Sequence, residues 1–213
     1  MQEMTSALCT TTATGTSKNL TDTRDNNAYT VAKLADGKCW MTQNLKLINK
    51  TISSSDSNLP SGSTWTIPAS STSGFSSYDT NNAYLDSTYG GYYTFYTATA
   101  GWGTQSVASG NAPKDICPKG WRLPTGDSSG EFKALYNKYA SSALMRGTPG
   151  FVLSGYVHNS SVNDRGSGGS YWSSTAGGSN GAYHLYLDSS TVNPARDYLN
   201  FKGRGYSVRC VAK

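Results

Sequence analysis

Four cysteines, Cys9, Cys39, Cys117 and Cys210, are spread almost from end to end of this chain. Cross-links between points so far apart would constrain its fold more than any other feature. The count is even and the spacings are wide, which fits disulfides better than the close CxxC pairs of metal and redox motifs. Three pairings are open. Joining Cys9 to Cys39 and Cys117 to Cys210 is favoured, because the second bond closes almost the whole C-terminal half and would restrict the unfolded chain by about 4–5 kcal/mol in the loop-entropy picture. Four buried free thiols are the alternative, and intact mass before and after reduction separates the two.

Cys117 opens the stretch CPKGWRLPT, residues 117 to 125, the most rigid in the sequence. Pro118 and Pro124 fix φ and remove backbone donors, so the segment between them runs extended. Trp121 and Leu123 then point one way, into a core, and Arg122 the other. With Cys117 bonded to Cys210, this stretch would staple the start of a following helix to the end of the chain.

That helix is predicted near residues 129 to 142. Ser128 and Glu131 have capping-box spacing, and Phe132, Leu135, Tyr136 and Tyr139 fall on one stripe. Residues 28 to 47 read as a hairpin turning at Asp36-Gly37, with Trp40 in the core. Residues 50 to 91 are rich in Ser, Thr, Asn and Gly, with few apolar anchors, and read as a long irregular loop or insertion. The aromatics at 92, 93, 95 and 96 match neither strand nor helix periodicity, so that segment is buried and of undefined type. From residue 150 onward, short strands separated by Gly-rich turns dominate, and Trp172 belongs to the core. The expectation is a single α+β domain over residues 1–213, with mixed short β-strands, one or two helices and much irregular loop.

Charged residues make up only 15% of the chain, against a usual share of about 25%. Ser, Thr, Asn, Gly and Tyr fill the difference, a balance suited to a protein working outside cells. The net charge of +5 is scattered singly, without a basic cluster interleaved with aromatics, which argues against nucleic acid. No run of about 18 apolar residues occurs, so a membrane would be reached only through a region absent from this chain. The opening MQEMTSALCT lacks the basic and apolar regions of a signal peptide. Either an export segment has been removed or the protein is cytosolic; the former is expected, with a secreted or cell-surface location.

DTRDNNAYTVAKLADGKCWMTQNL, CPKGWRLPT, YWSST followed by AYHLYL, and GYSVRCV, in that order between residues 22 and 212, resemble the Fibrobacter succinogenes major paralogous domain family. WRLPT with its helix, and the closing SVRCV strand, are further similar to the C-type-lectin-like fold of formylglycine-generating enzymes and of the variable proteins of diversity-generating retroelements. The resemblance implies a C-type-lectin-like domain whose two ends come together and whose C-terminal strands and loops present a ligand surface. It also implies an exported or surface protein of bacteria.

Catalysis is not expected. Formylglycine-generating enzymes hold copper with a close pair of late cysteines, whereas here only Cys210 follows Cys117. Glu3 and Glu131 are the only glutamates, which leaves a glycosidase to draw both carboxylates from scattered Asp. His158 with Asp164 and a serine has no specificity as a triad. No cofactor is called for. Calcium is the one ion weighed, because SVND at 161 to 164 and VNP at 192 to 194 faintly resemble lectin motifs. A calcium site needs about six to eight oxygens, more than these stretches supply. Its ligands would include Asp164, Asp188 and Asn193.

What remains is the C-terminal surface. Tyr, Asn, Ser and Gly are the residues of antibody paratopes, where flat amphipathic rings give contact area and small polar groups adapt. In AYHLYL, Tyr183, Leu185 and Leu187 share the core face, which leaves His184 and Tyr186 exposed on the other. NPARDYLNFKGRG reads as a loop whose core anchors are Leu199 and Phe201. The expected ligand-binding residues are therefore His184, Tyr186, Asp188, Asn193, Arg196, Asp197, Tyr198, Asn200, Lys202 and Arg204. The function expected is a non-catalytic, adhesin-like domain that binds a surface protein or a glycan of another cell, and it could be a retroelement variable protein. The alternatives are a structural surface module without a specific ligand and a calcium-dependent lectin.

Overall fold

The computed structural model describes residues 6–198 and 201–213. A short helix α1 (Ser6–Thr11) leads into three antiparallel strands, β1 (Ser17–Thr21), β2 (Ala28–Lys33) and β3 (Cys39–Met41). The β2–β3 turn is the expected one. Gly37 takes φ 83°, and the Asp36 carboxylate accepts hydrogen bonds from the Lys38 amide at 3.1 Å and the Trp40 indole at 2.9 Å.

The segment expected to be a long loop carries strands. β4 (Lys50–Ser53) pairs with β6 (Thr64–Ile67), β5 (Ser57–Asn58) lies between them in sequence, and β7 (Ala83–Asp86) runs against β8 (Gly90–Tyr93). Ile52, Ile67 and Phe75 are buried, so a few well-spaced apolar residues suffice to fix polar strands whose composition reads as loop. The aromatic segment divides at Thr94. β8 ends there, and the Thr94 side chain caps α2 (Phe95–Ala98) by accepting from the Thr97 amide.

After β9 (Gly110–Asn111), the rigid stretch forms β10 (Asp115–Pro118) and β11 (Trp121–Arg122). Trp121 and Leu123 are fully buried and Arg122 is half-buried, as their alternation requires. Next come α3 (Glu131–Tyr139) and α4 (Ser142–Arg146). α3 buries Phe132 and Leu135. The Ser128–Glu131 capping box does not form, because extended Gly130 occupies the N-cap position. Thr125 takes the role instead: its hydroxyl accepts from the Glu131 amide at 2.9 Å, and the Glu131 carboxylate accepts from the Thr125 amide at 3.0 Å. The same carboxylate receives both Arg122 guanidinium nitrogens at 2.6 Å and Lys38 Nζ at 3.0 Å.

The C-terminal part contains β12 (Tyr156–His158), β13 (Ser161–Asn163), β14 (Gly168–Ala176), β15 (Ala182–Asp188), β16 (Val192–Tyr198), β17 (Tyr206–Ser207) and β18 (Val211–Ala212). β18 returns to the first sheet, in the order β1-β2-β3-β18-β11, while the larger sheet runs β16-β15-β14-β17-β8-β7 with β9 also on β14. Every residue of β14 is buried. Alternate side chains along it serve two cores: Tyr171 joins Leu185, Leu187, Trp40 and the α3 residues, and Trp172 joins Tyr206, Phe95 and Trp121. Disulfides join Cys9 to Cys39 and Cys117 to Cys210, the favoured pairing. The architecture is α+β, mostly sheet with four short helices among the described residues. No described helix is long and apolar enough to cross a membrane.

Candidate functional site

On the Trp172 face of the larger sheet, β14, β15 and β16 meet a returning loop. Pairing places Ser170 opposite Tyr186, Trp172 opposite His184, and His184 opposite Arg196, so one row of side chains crosses three strands. β17 lies parallel to β14 on the other side and brings in Tyr206. The loop before it carries Phe201 and Arg204, and the β12–β13 hairpin contributes Tyr156 and, just beyond it, Asp164. All of these except Trp172, nine residues, line a cavity of about 240 Å³.

Gly205 makes the closure possible. It exchanges both backbone hydrogen bonds with Val157 at 2.9 Å, and a Cβ at this position would stand 2.6 Å from the Phe75 ring. Only glycine lets the loop approach the hairpin so closely.

The floor is aromatic. Tyr206 lies tilted against Trp172, with centroids 4.2 Å apart, and against His184 at 4.8 Å. Burial pushes the His184 pKa down to about 3, which keeps the ring neutral at physiological pH, and Arg196 and Arg204 add to that effect. Burial likewise pushes the Tyr206 hydroxyl up to about 12. The walls are cationic. The Arg196 guanidinium lies 4.1 Å from the Tyr186 ring centroid, and Arg204 lies 3.3 Å from Phe201 and 4.7 Å from Tyr156. Arg204 Nε is buried and has no hydrogen-bond partner. Among the lining residues Asp164 is the one carboxylate, and it is exposed at the rim. Arg165 beside it is paired with Asp86.

Of the residues expected from the sequence, His184, Tyr186, Arg196 and Arg204 come together here. His184 does so in an unexpected way. It faces away from Leu185 and Leu187, as alternation predicts, yet it is only 3% exposed, because β17 and the returning loop cover this face with Tyr206. Tyr183, expected to be buried, is half-buried beside Gly126 and Gly177.

Lys202 is a correction as well. It is fully buried, and its ammonium donates to the Thr104 carbonyl at 2.8 Å and the Val107 carbonyl at 2.6 Å. These bonds tie two loops together and withdraw it from any ligand. Asp188 and Asn193 serve their own turns: Asp188 accepts from the Ser190 and Thr191 amides, and Asn193 from the Ala195 amide. The two Asp188 bonds hold its pKa below the usual carboxylate value. Among the described residues no group of three or more His, Cys, Asp and Glu gathers as a metal site would require.

The expected 193–205 loop is strand up to Tyr198, because β16 pairs along β15 as far as Ala182. Asp197 and Tyr198 lie on that strand, where only the backbone is described, and Asn200 and Leu199 lie outside the described residues. Tyr156, Ser170 and Tyr206 were missed from the sequence. Tyr156 and Tyr206 flank the two bridging partners Val157 and Gly205, so a glycine breaking an alternating pattern was the available signal.

A profile of the Fibrobacter succinogenes major domain matches residues 35–146, more than half of the chain. Neither a curated protein nor a solved structure matches it. The matched span runs from the β2–β3 turn through CPKGWRLPT to the end of α4, and the cavity is built from residues beyond it. That match places the chain in the Fibrobacter succinogenes major domain family.

Proposed function

We propose that this is a non-catalytic recognition domain that binds a surface protein or a glycan through the cavity formed by its C-terminal strands and the 201–206 loop. The observation that carries the reading is the composition of that cavity. Two arginines braced on aromatic rings, a neutral histidine and three tyrosines surround a concavity fed by five different segments, the mix of rigid amphipathic rings and polar groups found in binding surfaces.

A C-type-lectin-like fold fits the chain path, since the last strand β18 is inserted between β3 and β11 and so brings the two ends of the chain into one sheet. The two disulfides are compatible with an exported location at the bacterial surface.

Screening the oxidised protein against arrays of glycans and surface proteins, with calcium and again with chelator, tests the proposal. Hits that persist in chelator are expected. Hits lost in chelator would move the site to a calcium centre, and silence on every probe would favour a purely structural module.

A further inference from the structure

We propose that a second cavity, on the opposite face of β15 from His184, binds a neutral pyranose ring, stacked on Tyr183 and hydrogen-bonded through its hydroxyls to Asp127 and Asn111. The site is separate from the arginine-lined cavity, because adjacent side chains on a strand point to opposite faces and His184 serves the first.

Tyr183 provides the platform. Its ring lies beside Gly177, where a Cβ would stand 3.0 Å from Cε2 and 3.1 Å from Cδ2, and its own Cβ lies 2.9 Å from where one would stand on Gly126. Two glycines thus make room for a half-buried ring that lines an open cavity of about 380 Å³. The polar groups around it are each anchored on one side. Asp127 Oδ1 accepts from the Ser129 amide at 2.9 Å and the Ser129 hydroxyl at 2.8 Å, and Asn111 Oδ1 accepts from the Thr175 hydroxyl at 2.6 Å. Among the described residues nothing pairs with Asp127 Oδ2, the Asn111 side-chain NH2 or the exposed Ser109 hydroxyl. Donors and acceptors already fixed in place lose little freedom on binding.

The chemistry of these groups selects the ligand. A carboxylate acceptor, an amide donor and a hydroxyl around an aromatic ring match a polyol, whose hydroxyls both donate and accept. The apolar C–H face of a pyranose covers the ring. No lining residue is cationic, and the Asp127 carboxylate opposes an acidic sugar. An amine would use Asp127 but leave the Asn111 donors idle. Three of the sequence blocks converge here: Asp127 lies just past CPKGWRLPT, Thr175 ends YWSST, and Tyr183 stands in AYHLYL. Contact with one ring in so open a cavity should saturate in the millimolar range, too weakly for a washed array to retain.

Two-dimensional amide NMR of the intact oxidised chain, titrated with methyl β-glucoside, methyl β-galactoside, glucuronate and lysine amide, tests this. At least one neutral glycoside should move the Asn111, Asp127 and Gly177 amide signals with millimolar saturation. Asp127→Asn should weaken that binding about tenfold. Tyr183→Leu, which retains apolar bulk without the flat ring, should abolish it, and thermal melting of each variant identifies any loss of fold. Arg204→Gln should leave it unchanged, so this site stands or falls independently of the recognition reading above. Failure of both neutral glycosides, stronger binding of glucuronate or lysine amide, undiminished binding in folded Tyr183→Leu, or loss of binding in Arg204→Gln overturns the proposal.

Discussion

His184 shows how much one buried group can impose. Its ring lies against Tyr206, with Trp172 6.0 Å away, and its Nδ1 is 3.5 Å from the Ala182 carbonyl. Burial lowers its pKa from 6.5 to about 3. A group with a depressed folded pKa binds fewer protons when folded than when unfolded, so its contribution is fully present above pH 6.5 and is lost as pH falls toward 3. Asp115 works in the opposite sense. Its carboxylate is buried, accepts from the Leu123 and Cys117 amides and the Asn58 side chain, and has a pKa raised by that burial to about 6. Its contribution is greatest below about pH 4 and declines as pH rises through 6. Between about pH 4 and 6 the two changes cancel, so of this pair only His184 lowers stability on further acidification, below about pH 4. Denaturant melts across pH 3 to 8 should show this, and His184→Gln should flatten the acid limb; an NMR titration placing the His184 pKa above 5 would contradict the burial argument. Alternation along AYHLYL assigned this residue to the correct face. Its burial was not legible, because the covering Tyr206 arrives from a strand that is two residues long and 22 positions away in sequence.

At the scale of elements, α3 is held at its start by one carboxylate. Glu131 links Arg122 on β11, Lys38 in the β2–β3 turn and the Thr125 amide, and the attraction keeps its pKa below the usual value despite burial. Glu131→Gln would leave two cations and one amide poorly matched, and should cost about 1–3 kcal/mol by chemical denaturation. A change within a few tenths would mean that water replaces the network. The stripe of Phe132, Leu135, Tyr136 and Tyr139 made this helix readable from sequence. Its cap was not readable, since Thr125 reaches Glu131 only because Gly130 adopts an extended backbone. The polar strands β4 to β7 were missed for a related reason: their pairing rests on isolated anchors such as Ile52 and Ile67, and no local pattern reports that.

Across the whole molecule, the two disulfides and β18 bind the ends of the chain to its middle. The Cys117–Cys210 bond spans 93 residues and the Cys9–Cys39 bond 30. Loop entropy then predicts losses of about 4–5 and about 3–4 kcal/mol for the paired Cys→Ser variants, the longer loop costing about 1 kcal/mol more. The reverse order in urea melts would show that strain or residual structure outweighs loop length. Cysteine spacing made this framework legible, and CPKGWRLPT located its centre. The cavity was only half legible, because Arg196 and Arg204 stand in a surface-like composition while Tyr156, Ser170 and Tyr206 reach them from separate segments. The central claim is that these residues form the recognition site. The most direct test is to compare chelator-treated glycan and protein arrays for the parent and the Arg196→Gln, Arg204→Gln double variant, both verified as folded. Loss of the parent's hits in the variant is the predicted result, and an unchanged set of hits would contradict it by locating binding elsewhere on the molecule.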